Sequence, residues 1–230
     1  MAQLSTLGKF MKTKIKSFPD LHKALIDDAE PNEIFRGVRS VDYKLQTKIG
    51  RIKKFRGGDL LEAERHMLRL LKDQAVPHLG YTPKNDWEWL AIAQHHSLPT
   101  RLLDWSRNPL VAAWFAVERE HDGDSLIYCY ENGTYIDLAK NPDPFARAVV
   151  GKFVPPHITK RITAQAGLFT IHPEPAEIFA PKSVRVVRIA SEFRKPLKKI
   201  LWKYGIHRAT LFPDIDGLCK HLEWLRTECH

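Results

Sequence analysis

Three polar features in this sequence stand in apolar surroundings, and each carries side chains able to do chemistry. Arg36 interrupts the run Ile34-Phe35-Arg36-Gly37-Val38. Thr100 to Ser106 follows a helix-like segment and brings Arg101, Asp104 and Ser106 close together. Gln165 lies in Arg161 to Ile171, whose alternation reads as a late strand. If the middle stretch is a turn entering a helix, its free backbone N–H groups and positive dipole end suit a phosphate or a ribose. Arg36 or Arg101 would then add a bidentate contact to a phosphate or carboxylate. In the competing arrangement Asp104 pairs with one of these arginines and Ser106 merely caps the helix. Spacing alone leaves both open.

His95 and His96 are adjacent on a helix and point in different directions, with no close carboxylate partner, so the expectation is no metal. One histidine bonded in a cleft and the other exposed is the better reading. The sequence holds no P-loop, no G-x-G-x-x-G and no G-x-S-x-G elbow, which leaves a serine-hydrolase triad unsupported.

The elements that must position these residues follow from periodicity. Ser17 to Ala29 reads as a first helix capped by Ser17. Ile34 to Val38 reads as a strand with Ile34, Arg36 and Val38 on one face. Leu60 to Lys72 is expected as an amphipathic helix facing in through Leu61, Met67, Leu68 and Leu71, and Asp86 to His95 as a buried aromatic one. Leu98-Pro99 ends the latter, because the residue before proline avoids helical geometry. Thr100 to Trp105 is then extended, with Ser106 capping a helix over Pro109 to Glu118. Leu126 to Tyr130 and Val184 to Ile189 read as strands, and Asn141 to Pro156, with four prolines, as a long loop. Phe193 to Tyr204 and Asp216 to Thr227 read as the last helices. No internal repeat or long linker is visible. The expectation is one α+β domain with a helical N-terminal part.

The chain of 230 residues is long enough to bury about 70% of its unfolded surface. No apolar run approaches the ~18 residues of a membrane span, and no secretory signal pattern opens the sequence, so a cytoplasmic protein is expected. The three cysteines, Cys129, Cys219 and Cys229, are far apart and read as reduced thiols. Net charge is +9, with +7 in residues 1–58 and +8 in residues 182–208, so the remainder is acidic. A basic rim on an acidic body suits a polyanion, nucleic acid first. A solvated lysine surface or a patch for an acidic partner protein gives the same pattern.

The residues Phe35-Arg36-Gly37, Gln94-His95-His96 through Pro99-Thr100-Arg101-Leu102-Leu103-Asp104-Trp105-Ser106, and Ala112-Ala113-Trp114-Phe115-Ala116 resemble the FRG domain family. The likeness continues in Arg161-Ile162, Gln165-Ala166-Gly167-Leu168-Phe169 and Thr210 to Asp214, and so spans about residues 33 to 222. The order of these motifs is similar to that of ADP-ribosyltransferases. That more distant resemblance implies a split β-sandwich around a cleft, formed by residues 33–230 as one globular unit, after a basic helical segment over residues 1–32.

The resemblance also implies NAD as substrate and no metal. Arg36 falls where those enzymes hold the NAD, and Asp104 to Ser106 followed by Ala112 to Phe115 has the spacing of their Ser-Thr-Ser strand and the helix after it. Catalysis is assigned to Arg36, Asp104 and Gln165. The NAD wall is assigned to Arg36, Gly37, His96, Thr100, Arg101, Asp104, Trp105, Ser106, Phe115 and Phe169. Gln165 stands where those enzymes carry a glutamate, and a neutral amide cannot fully offset the positive charge that develops as the nicotinamide bond breaks. Catalysis would then lean on positioning and on another acid, such as Asp104 or Glu174. The implied function is an ADP-ribosyltransferase toxin of phage defence or of a toxin–antitoxin system. Its acceptor would be a nucleic acid, RNA foremost, and its partner an antitoxin protein, with no membrane role. A non-catalytic module for nucleic acid or a partner, and an NAD glycohydrolase, are the alternatives.

Overall fold

A computed structural model describes residues 10–56, 58–156 and 159–229. In chain order its elements are β1 (Phe10–Ile15), α1 (Phe18–His22), continued by a π-helical turn over Lys23–Asp27, β2 (Ile34–Val38), α2 (Leu60–Ala75), α3 (Asp86–His95) and β3 (Leu102–Ser106). Then come α4 (Pro109–Val117), β4 (Ser125–Tyr130), β5 (Gly151–Phe153), α5 (Lys160–Ala164) and β6 (Gly167–Ile171). The chain ends in β7 (Val184–Ile189), α6 (Arg194–Lys203), α7 (Arg208–Leu211) and α8 (Ile215–Thr227).

The strands form one seven-stranded mixed sheet in the order β1-β7-β4-β2-β3-β6-β5, antiparallel except where β1 lies parallel to β7. Its two halves are unequally joined. β2 pairs with β4 from Ile34↔Tyr130 to Val38↔Leu126, and β3 with β6 from Leu102↔Ile171 to Ser106↔Gly167. Between β2 and β3, however, the ladder is the single pair Phe35↔Ser106. The expected split sandwich is therefore corrected to one sheet that opens beside its central pair.

Side-chain parity explains the layers. Phe35 joins Ile127, Val187 and Ile189 under α4, α6 and α7, while Ile34, Val38, Leu103 and Trp105 pack on the opposite face with Tyr128 and Leu168. A third cluster holds α2 and α3 against β5 and β6 through Trp87, Leu90, Leu102, Phe153 and Phe169. α4 is apolar all round and buried, as a helix wedged between a sheet and other helices must be. A Cβ on Gly37 would stand 1.8 Å from the carbonyl oxygen of Ala112, so the strand's glycine is what lets α4 lie directly on β2.

Several local expectations change. Residues 10–15 form an edge strand rather than helix, and Ser17 does cap the helix after it by accepting from Asp20 N–H. The proline-rich loop contains β5. On α2, Leu61 faces solvent and Glu64 is buried, because an ionic partner waits inside for the carboxylate. Asn108, not Ser106, caps α4, with Pro109 at the first helical position. Most consequentially, Arg161 to Ile171 is not one strand. It is the short helix α5, a reversal at Ala166 with φ +46°, and then β6. The alternation that suggested a strand came from a five-residue helix and a five-residue strand placed end to end. β4, β7, α3 and α8 fall where periodicity puts them to within a residue.

Candidate functional site

A cleft of about 310 Å³ lies where the sheet opens, walled by β2, β3, the N-terminal end of β6, α5 and the end of α3. Arg36 spans the opening. From β2 its Nη1 donates to the main-chain carbonyl of Asp104 on β3 at 2.6 Å and approaches the Asp104 carboxylate at 3.3 Å. It thus bonds a carbonyl that a continuing β2–β3 ladder would have engaged. Asp104 keeps 56% of its side chain exposed, so the carboxylate still faces the cleft.

A directional relay fixes that carboxylate. Thr100 Oγ1 accepts from the Leu102 N–H, so its own proton goes to Gln94 Oε1 at 2.6 Å. The Gln94 amide is thereby oriented, and its Nε2 donates to Asp104 Oδ2 at 2.9 Å. Thr100 is buried and acts through Gln94 rather than on a ligand.

Four cations line the cleft, Arg36, Lys48, Arg51 and Arg161, and Asp104 is the one carboxylate among the described lining residues. Burial and the neighbouring Arg36 charge pull Arg51 below its ordinary value, and burial does the same to Arg161. His95 is lowered to about 4 by burial and then by Arg161 and His96, so it is neutral at pH 7. Lys48 donates to the carbonyl of Ser97, a residue held at φ +67° on the cleft rim. Ala166, between the lining residues Gln165 and Gly167, also has positive φ, and strained backbone is the kind of cost that a functional site tolerates.

Gln165 lines the cleft, but as the C-cap of α5 and not as a strand residue. Its Nε2 donates to the Leu211 carbonyl at 3.0 Å, tying α5 to α7. Ser106 donates its hydroxyl to the Gln165 carbonyl and accepts from the Asn108 N–H, so it braces the two walls rather than offering a free hydroxyl. Helical spacing sets Arg161 and Gln165 one turn apart on the same side of α5.

The remaining expectations divide. Gly37, Trp105, Phe115 and Phe169 border the cleft, although the Trp105 indole N–H is spent on Thr170 Oγ1 of β6. Arg101 does not belong to it. It is buried against Glu64, with its main-chain N–H and its Nε bonded to the two carboxylate oxygens, and its guanidinium lies on the Phe145 ring. His96 also falls outside, exposed beside a groove with Met67, Leu71 and Leu98. Adjacent helical residues diverge by about 100°, which is why only His95 reaches the cleft. Sequence reasoning missed Gln94, Lys48, Arg51 and Arg161 as site residues. Arg161 stands on a five-residue helix, too short to show a period of its own. Arg51 and Lys48 sit in and beside a short 3-10 turn with no periodic signal.

Among the described residues no group of three or more histidine, cysteine, aspartate or glutamate side chains could hold a metal ion. No described helix is long and apolar enough to cross a membrane. The family model of the FRG domain matches residues 31–125, which cover β2, α2, α3, β3, α4 and the first residue of β4. No curated protein and no solved structure shows a significant match to the chain.

Proposed function

From the premise that the chain carries an FRG domain over residues 31–125, we propose that its cleft binds NAD and transfers ADP-ribose to a nucleophilic acceptor. The observation that carries this reading is the concentration of Arg36, Arg51, Arg161 and Lys48 around a single carboxylate at the opening of the sheet. Such a field suits a diphosphate, and guanidinium forks suit its oxygens. Phe115 and Phe169 add apolar wall for flat rings.

In this reaction the bond between the ribose C1′ and the nicotinamide nitrogen breaks, its electron pair leaving with neutral nicotinamide. The acceptor's lone pair forms the new bond to C1′, and its proton passes to solvent. Positive charge develops on the ribose as the first bond breaks. Asp104 supplies the fixed negative charge that offsets it, held in place by Gln94 and Arg36. Gln165, tied to Leu211, holds the wall in shape and offers its Oε1 to a ribose hydroxyl. This distribution moves the electrostatic task from the late position of the ADP-ribosyltransferases to β3.

A toxin restrained by an antitoxin protein in the cytoplasm, active in phage defence, is the setting this activity implies. The test is radiolabel transfer from NAD by wild type, Arg36→Ala and Asp104→Asn, with nicotinamide release measured alongside. Equal labelling by all three proteins overturns the residue assignment. Nicotinamide release without transfer to any acceptor makes the enzyme a glycohydrolase. Calorimetry showing no NAD binding to wild type removes the reading altogether and leaves a non-catalytic binding module.

A further inference from the structure

We propose that the acceptor is a single-stranded nucleic acid, held in a second groove that opens off the cleft. The acceptor role rests on the transfer reading above, whereas the groove and its charge stand without it. This groove encloses about 530 Å³ and shares Arg36, Gly37, Phe115 and Arg161 with the cleft. A chain lying along it therefore passes the cleft without crossing another wall.

Beyond the shared residues the groove runs past Arg39, Tyr43, Arg119, Arg208 and Lys220, so its cations outnumber the carboxylates Glu118, Asp214 and Asp216. Glu118 is already engaged by Arg208 and by Arg119. The guanidiniums are laid on rings. Arg161 and Arg208 lie 4.2 and 4.8 Å from the Phe212 centroid, and Arg39 lies 5.5 Å from that of Tyr43. Tyr43 is 43% exposed and the Arg119 side chain 70%.

Charged planes and an exposed phenol, in a groove whose cations outnumber its carboxylates two to one, suit phosphates together with unstacked bases. A duplex keeps its bases inside, and an acidic peptide brings carboxylates but no flat rings for these faces. In the basic stretch over residues 182–208 the arginines outside the groove are engaged. Arg185 is paired with Glu33, Arg188 with Asp124, and Arg194 is buried on the carbonyls of Arg39, Ala116 and Arg119.

The experiment is fluorescence anisotropy of a fluorescein-labelled single-stranded RNA oligonucleotide, without NAD, across a salt series. It uses wild type, the double variant Arg39→Ala/Arg119→Ala and the control Lys195→Ala/Lys203→Ala, each first checked for a native melting transition. The groove variant is expected to bind about 10-fold more weakly with a shallower salt dependence, and the control to stay within about twofold of wild type. Equal binding by all three, loss confined to the control, or competition by polyglutamate as effective as by unlabelled RNA overturns the proposal. RNA binding that depends on Arg39 and Arg119 while NAD yields no label transfer upholds the groove and its ligand. The same result overturns the transfer reading.

Discussion

Arg36, one residue past Phe35, donates to the main-chain carbonyl of Asp104, two residues before Ser106, across the point where β2 and β3 part after their single shared pair. The side chain of one strand thus takes the place of a backbone donor, and the gap it spans is the cleft. A longer β2–β3 ladder would have closed the sheet and left no room there.

Replacing Arg36 removes the bridge and, on the proposed reading, a ligand contact as well. Arg36→Ala is expected to weaken NAD binding about 10- to 100-fold, the range of one or two charge-assisted hydrogen bonds. Stability should fall by only about 1–2 kcal/mol, because the single strand pair and the packing of Phe35 remain. Titration calorimetry and urea unfolding measure the two effects separately. Unchanged NAD affinity in a folded Arg36→Ala protein would place the ligand elsewhere.

Asp104 and Gln165 should separate in kinetics. Asp104→Asn keeps the shape but removes the fixed charge, and kcat is expected to drop about 10²- to 10³-fold. Gln165→Ala loosens the α5–α7 tie and should cost nearer 10-fold, mostly in KM. Initial rates of nicotinamide release measure this, and a larger loss of kcat for Gln165→Ala would return the chemistry to α5.

Gly37→Ala probes how closely α4 presses on β2. A Cβ 1.8 Å from the Ala112 carbonyl oxygen, and 2.7 Å from the Ala116 nitrogen, must displace helix backbone rather than a flexible side chain. A loss of about 3 kcal/mol or more is expected in urea unfolding, at the upper end of overpacking costs. A neutral result would mean that α4 can slide off β2.

Stability should fall in mild acid through His172. Trp105 Nε1 donates to Thr170 Oγ1, so the hydroxyl proton points to His172 Nε2, which must accept from it as a neutral ring. Burial, and then the Arg36 charge, lowers His172 to about 4 from 6.5. The unfolded chain then binds the proton first. Stability is full above pH 6.5 and declines as pH falls towards 4, by about 3 kcal/mol at most. His95, lowered in the same direction, adds to the trend. Urea midpoints at pH 7 and pH 4.5 test this, and His172→Gln should flatten the difference; an unchanged slope would place the sensitive group elsewhere.

The sequence by itself determined the strands and helices whose residues keep one period throughout, such as β7 and α3. It also put Arg36 among core residues and marked the Arg36, Asp104 and Gln165 segments as worth joining. The close packing of α4 on β2 at Gly37 came only with the tertiary structure, which sets the Ala112 carbonyl against that strand position. Tertiary structure alone decided which arginine faces the cleft. Arg36 and Arg101 both stand near Asp104 in reasoning by type, but Glu64 reaches in from α2 and claims Arg101, leaving Asp104 to Arg36. It likewise turned Gln165 from a strand position into a helix cap, since a five-residue helix followed by a left-handed Ala166 has no period of its own to read. The cleft itself is a matter of register. Two strands that pair at one residue and then diverge leave a gap that depends on their relative tilt, and no local pattern encodes that tilt.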